Sequence, residues 1–403
     1  MSMNDSTLLK PGWTWVKFGD VVRLNTDRCA DPAGNGIERY VGLEHIEPED
    51  LRIRRWGLVA EGTTFTNRFQ PGQVLFGKRR AYQRKVAVAD FAGVCSGDIY
   101  VFEPKDERLL PELLPFLCQT ESFFEYAVGT SAGSLSPRTN WTQLANYEFA
   151  LPPLEEQRRI IITLQNASEL LDSYRDLCEK ANIQYLSAII HLFQNGVKGG
   201  IIMEQNKLSY PADWQLLRID SCFHLQLGKM SSAKSREGAN HQLYLKNNNV
   251  LWGEFDFSEL SSMSFDEEEQ KKFALKKGDL LVCEGGEIGR AAVWNEEYPG
   301  LFYQKAIHRL RPKSDKHSTE LLMHYLRYCS LRGILNSIAT GTTITHLPAE
   351  KLAALTLPFP PEEEQKVIVN ILNNNWQAVK LIQSRVNAAL ETYKALLTGM
   401  LEG

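Results

Sequence analysis

The sequence predicts a mixed α/β (α+β) protein made twice: two similar globular domains and two long helices that form an antiparallel coiled coil, related by a pseudo-twofold internal repeat. Three observations predict it. The segment Leu151-Pro152-Pro153-Leu154-Glu155-Glu156-Gln157 returns as Phe359-Pro360-Pro361-Glu362-Glu363-Glu364-Gln365, 208 residues later, and a repeat of this length has to be settled before any other reading. An unbroken heptad seam follows each copy. The stretches ahead of the two copies also match, from Trp13-Thr14-Trp15-Val16 and Trp214-Gln215-Leu216-Leu217 onward.

The seams justify the helices. Apolar positions after the first copy step by four and three through Ile160, Leu164, Ala167, Leu171, Tyr174, Cys178, Ala181, Tyr185, Ala188 and Leu192. Adding 208 gives Ile368, Leu372, Asn375, Val379, Ile382, Val386, Ala389, Tyr393, Leu396 and Met400, the same seam with one polar member. This is the spacing of a coiled-coil stripe. Each helix opens on a proline pair, where a missing N–H costs nothing, and places Glu155 and Glu156, or Glu362 to Glu364, at the positive end of the helix dipole. A helix over 154–193 would be about 60 Å long at 1.5 Å per residue. Asn195-Gly196 marks its stop. With a domain between the helices, the simplest closure runs the second back antiparallel to the first.

In the globular parts, short β-rich runs are set off by Gly and Pro turns. Tyr40-Val41 matches Tyr244-Leu245, Gly72 to Leu75 matches Gly278 to Leu281, and Ile99 to Lys105 matches Ile307 to Lys313. Flanking helices are expected over 109–127 and 318–338. The resulting division is 1–150, first domain; 151–196, first spacer helix; 197–207, linker; 208–358, second domain; and 359–403, second spacer helix.

Composition excludes several classes. With 403 residues and 43% hydrophobic content the chain can bury two or three real cores. No apolar run approaches the roughly 20 residues that cross a bilayer, and the first residues lack the pattern of a signal peptide, so a cytoplasmic protein without membrane contact is expected. Seven cysteines without a C-x-x-C pair, and eight histidines without a metal-binding spacing, argue against disulfides and a metal site. A formal charge of −4 says little about local patches. Between Leu51 and Ala89 nine basic residues face one acid, Glu61.

Scaffold positions should match between copies, and positions that read two different targets should differ. The hairpin Gly77-Lys78-Arg79-Arg80-Ala81-Tyr82 stands opposite Cys283-Glu284-Gly285-Gly286-Glu287-Ile288 in the second copy. That divergence singles out Lys78, Arg79, Arg80, Tyr82, Arg84 and Lys85, which become candidate DNA contacts on the family resemblance given next, since arginine can grip guanine bidentately and either cation can sit on phosphate. In the second copy the candidates are Asn247, Asn248 and Asn249, suited to adenine, and Lys229, Lys234 and Arg236 in a Ser/Lys-rich loop. A polar turn explains the asparagines equally well.

The Pro-Pro-x-x-Glu-Gln elements at 152–157 and 360–365, with Val74 to Val86, carry a resemblance to type I restriction-modification specificity subunits that covers nearly the whole chain. The resemblance implies two target-recognition domains, each reading half of a split, asymmetric site on double-stranded DNA. It also implies helices that space the domains and dock two methyltransferase subunits, through which two restriction subunits join. Cleavage and methylation, with their ATP, magnesium and S-adenosylmethionine, would then belong to the partners. No catalytic, cofactor or metal residues are expected in this chain.

The residues themselves offer little chemistry. Asp90 with Glu103-Pro104-Lys105 superficially suggests a nuclease centre, but the matched residues Arg311-Pro312-Lys313 lack a carboxylate. Gly285-Gly286-Glu287-Ile288-Gly289 lacks the spacing of a nucleotide-binding loop. Two rivals stay open: a coiled-coil scaffold that does not bind DNA, and a DNA-modifying enzyme whose site forms only in three dimensions.

Overall fold

The computed structural model describes residues 9–205, 208–232, 235, 237–341 and 345–402. The chain forms two compact units, one running to Asp176 and resuming at Ser384, the other comprising Leu177–Gln383. Each unit therefore contains a globular part and a stretch of both long helices.

In the first unit the central sheet has four strands, β1 (Val22–Leu24), β2 (Val74–Gly77), β3 (Val86–Val88) and β4 (Ile99–Pro104), in the order β1-β4-β2-β3, with every neighbour antiparallel. Val74-Leu75-Phe76-Gly77 is buried at every position, as an unbroken apolar run covered on both faces must be. Beside it lies a second sheet in which Arg39–Val41 pairs parallel with Gly93–Cys95. Thr14–Lys17 pairs with Glu148–Leu151, which brings both ends of the globular part to the start of the long helix.

The second unit repeats this plan. Strands β5 (Phe223–Leu227), β6 (Leu280–Cys283), β7 (Ala291–Val293) and β8 (Ile307–Pro312) take the order β5-β8-β6-β7. Tyr244 and Leu245 pair parallel with Phe302 and Tyr303. Gln215–Arg218 with Thr356–Phe359 closes the domain before its helix.

The flanking helices are shorter than the sequence suggests. The expected 109–127 helix is two pieces, Leu114–Leu117 and α1 (Glu121–Gly129), because Thr120 takes an extended backbone and its hydroxyl caps the Phe123 N–H. The 318–338 stretch likewise divides into Thr319–Leu331 and Ile334–Ile338 at Gly333, whose φ of 68° interrupts the helix.

The long helices are α2 (Leu154–Asn195) and, numbered next, α3 (Glu362–Leu397). Of the seam residues Ile160, Leu164, Leu171, Tyr185, Leu192, Ile368, Leu372, Val379, Val386 and Tyr393 are buried. Tyr174, Ile382 and Leu396 are half-buried, and the fully enclosed position in the last turn is Leu397. Inside the second unit Cys178 meets Gln383, Tyr185 packs on Trp376 at 5.3 Å, and the Val197 N–H reaches Glu364 at 2.8 Å. One index falls by as much as the other rises, so these helix segments run antiparallel in a single register.

The Glu-Gln of the repeated motif has a structural explanation. Gln157 is completely buried; its Nε2 donates to the carbonyls of Arg108 (2.7 Å) and Pro152 (2.9 Å), and its Oε1 accepts the Leu110 N–H (2.9 Å). Gln365 donates to Pro360 O at 3.0 Å in the same way. A side chain holding both a donor and an acceptor is required, because the chain turns from strand to helix here and leaves backbone groups of both kinds without ladder partners. Glu364 accepts from Val197 N and Trp214 Nε1, fastening the end of α2 to the second domain.

Candidate nucleic-acid interface

In each unit the β2–β3 or β6–β7 hairpin projects beyond the sheet, and a second loop clasps it. Backbone bridges join Arg79 to Arg138 and Ala132 to Arg138; in the second unit they join Gly285 to His346 and Thr340 to His346. Two of the backbone hydrogen bonds at the base of each tip agree. Lys78 N donates to Asp98 O and Thr139 N to Lys78 O, at 3.0 and 2.9 Å; Glu284 N donates to Ala306 O and Leu347 N to Glu284 O, at 2.9 and 2.7 Å. The backbone is one design, and the side chains on it differ.

On the first tip Lys78 is half-buried, with Nζ 4.6 Å from the centre of the Tyr100 ring, and burial lowers its pKa. Arg79 donates from Nε to Ser136 Oγ (2.7 Å) and approaches Asp98 at 3.3 Å, and Arg138 reaches the same carboxylate at 3.0 Å. Although burial opposes it, these two arginines hold the Asp98 pKa below its usual value. Arg80 takes a left-handed backbone, φ 56°, with its N–H on Pro137 O and its buried Nε without a partner. Tyr82 stands 55% exposed. Lys78 also lines a polar cleft with Asn25, Arg28, Thr66, Asn67 and Tyr100.

Several sequence candidates are engaged within the chain. Arg84 pairs with Glu121 and covers the Phe124 ring, and Lys85 donates to Leu43 O at 2.6 Å. Lys229 is 11% exposed, tied to Glu269 and to Ser264 O. Asn249 is enclosed, its amide accepting from Lys246 N and donating to Asp256 O and Glu259 O, so it has nothing left for a base. Asn247 donates to Gly285 O and braces the second tip, whereas Asn248 is exposed. Lys234 and Arg236 lie outside the described residues.

The start of the basic run 51–89 is taken up by ion pairs. Arg54 bonds Asp50, Asp172 and Asp176 at 2.6–3.0 Å, Arg52 approaches both helix aspartates, and Arg55 pairs with Glu47. Arg52 and Arg54 fasten the first domain to α2. Linear charge density could not reveal this, because their partners on the helix are more than a hundred residues away. Sequence reasoning missed Arg138, His346 and the clasp loops, although their common 208-residue offset was a usable signal. Leu135, at the end of the first clasp, is 91% exposed.

Among the described residues no group of His, Cys, Asp and Glu could hold a metal ion, and no helix is long and apolar enough to cross a membrane.

A duplicated α/β domain with a clasped, divergent tip on each copy and a helix fused to each is the arrangement of a recognition protein. Residues 11–180 and 211–392 each match the type I restriction modification DNA specificity domain, and the chain belongs to that family. It is 23% identical to the type I restriction enzyme MjaVIII specificity subunit of Methanocaldococcus jannaschii, over 97% of this chain and 92% of that one. It is also 26% identical to the Escherichia coli EcoDI specificity subunit, over 45% of this chain and 40% of the other. The fold is shared with the type I restriction-modification S subunit of M. genitalium, at TM-score 0.57 and 14% identity, covering all of this chain and 98% of that one. As a specificity subunit the chain is non-catalytic and recognises DNA for a type I system.

Proposed function

We propose that the chain reads a bipartite, asymmetric site on double-stranded DNA, one half with each clasped hairpin, and presents it to two methyltransferase subunits docked on the long helices. Restriction subunits join through these, and S-adenosylmethionine, ATP and magnesium are bound by the partners. The carrying observation is the pair of tips: one backbone hydrogen-bonding scheme bears Lys78, Arg79, Arg80 and Arg138 in the first unit and Glu284, Gly285, Gly286 and His346 in the second. Readers of two different sequences need different side chains on a common frame, because base edges are told apart by donor and acceptor pattern. On this reading Lys78, Arg79, Arg80, Tyr82 and Arg138 face DNA in the first unit, and Asn248 and His346 in the second. The workplace is the cytoplasm, where the host DNA lies.

Methylation sequencing of a host that carries the cognate methyltransferase subunit, with and without this chain, tests it. A two-part methylated motif that depends on the chain is expected. A host whose methylation pattern is the same with and without the chain, while the methyltransferase works with another specificity subunit, would refute it.

A further inference from the structure

The two tips share a backbone yet carry opposite electrostatics. In the first tip Arg79 and Arg138 both bond Asp98, two cations to one carboxylate, and Lys78 and Arg80 lie next to Arg79 in the chain. In the second tip the four equivalent positions hold Glu284, Gly285, Gly286 and His346, and Asp98 is replaced by Ala306, the partner of Glu284 N. Glu287 and Arg290 there pair with each other, and Arg327 also reaches Glu287. Lys305, next to Ala306 in the chain, is exposed.

Asp98 has a definite job. It takes one N–H group from each of two arginines and so holds two guanidinium forks side by side, Arg79 braced further by Ser136. Both side chains stay accessible, at 40% and 55% exposure. Five donors sit on each fork, so both retain N–H groups beyond these bonds. Paired, accessible forks with a surplus of positive charge suit phosphate oxygens.

We propose that the specificity subunit grips DNA unequally: the Arg79–Arg138 pair, ordered by Asp98, is a backbone-phosphate anchor in the first reader, and among the described residues the second reader has no equivalent at its tip. Most of the tip-borne, salt-dependent affinity then enters through one unit, and the second unit contributes discrimination with little electrostatic pull. This rests on the tips being the DNA-facing surfaces.

The test uses the full chain assembled with its methyltransferase subunit, on a duplex carrying the motif found by methylation sequencing and on a motif-free duplex of equal length. Dissociation constants are measured from 50 to 200 mM salt for Arg79→Gln/Arg138→Gln and for Lys305→Gln/His346→Gln. Each lost phosphate contact flattens the log–log salt slope by about 0.9, so the first double variant should lose about 2 and weaken on both duplexes alike. The second should change the slope by less than about 1. Arg79→Lys/Arg138→Lys, which keeps the charges, should restore most of the slope and excludes misfolding as the cause. Equal slope losses in both units, an unchanged slope in the first double variant, or a loss confined to the motif duplex would each overturn the anchor. Wild-type complex that fails to prefer the motif duplex would instead sink the DNA-reading function itself.

Discussion

Replacing Gln157 by glutamate changes one amide nitrogen to oxygen, and the structure makes that costly. Nε2 of Gln157 serves two backbone carbonyls, Arg108 O and Pro152 O, in a site with no solvent access. A carboxylate there can still accept the Leu110 N–H, but it faces both carbonyls without a proton to offer. Each unsatisfied buried acceptor costs about 1–3 kcal/mol, so the first unit should lose about 3–5 kcal/mol at pH 7. Gln365 serves one such carbonyl, Pro360 O, and Gln365→Glu should cost the second unit about 1–3 kcal/mol. The carboxyl introduced at position 157 would have its folded-state pKa raised above the unfolded value of about 4.3. Its protonated form donates once, so the deficit should be smallest below that unfolded value and should grow as pH rises toward the folded-state pKa, levelling off above it. Denaturant unfolding of wild type and both variants, followed by circular dichroism from pH 4 to 8, reads the difference against wild type at each pH. Equal costs at the two glutamines, or a Gln157→Glu deficit independent of pH, would refute the backbone-satisfaction account of the motif.

Two further outcomes follow from the second unit. His324 is enclosed between Tyr185 and Asn373, at 2.9 Å from each, and burial drives its pKa down to about 4. A histidine depressed in this way contributes stability present above its unfolded pKa of about 6.5 and lost as pH falls toward 4, about 3 kcal/mol in all. His324→Phe, which installs the residue of the matching position Phe116, should flatten that stretch of the stability-versus-pH curve, measured by thermal unfolding. Gly196 ends α2 at φ 66°, where an added Cβ would lie 2.8 Å from Glu364 Oε1 and 2.9 Å from Pro211 Cγ. Gly196→Ala should therefore cost about 2–3 kcal/mol, and Gly199→Ala, at φ 68° with open space around it, about 1 kcal/mol, a contrast readable in melting temperatures.

Much of the architecture was written in one dimension. The 208-residue repeat, the heptad seams and the paired strand starts are local or periodic signals, because burial imposes a period on a helix and an unbroken apolar run on a strand enclosed on both faces. Thr120 and Gly333 divided the flanking helices through a side-chain cap and a left-handed residue, each a small local effect that hydropathy alone does not register. The candidate site was legible only in outline. Divergence between the copies located the hairpin tips, yet could not say which partners hold each cation: Asp98 and Ser136 for Arg79, Glu121 for Arg84 and Leu43 O for Lys85.

By itself, then, the sequence determined the duplication, the long helices, their antiparallel sense and the family. Those follow from spacing along the chain, where neighbours in sequence are neighbours in space. Only the tertiary structure decided which cations remain available. Arg54 meets Asp172 and Asp176, and Arg138 joins Arg79 on Asp98, across separations of 122 residues at most and 19 at least. Charge pairing depends on distance through space, and no period in the sequence encodes it.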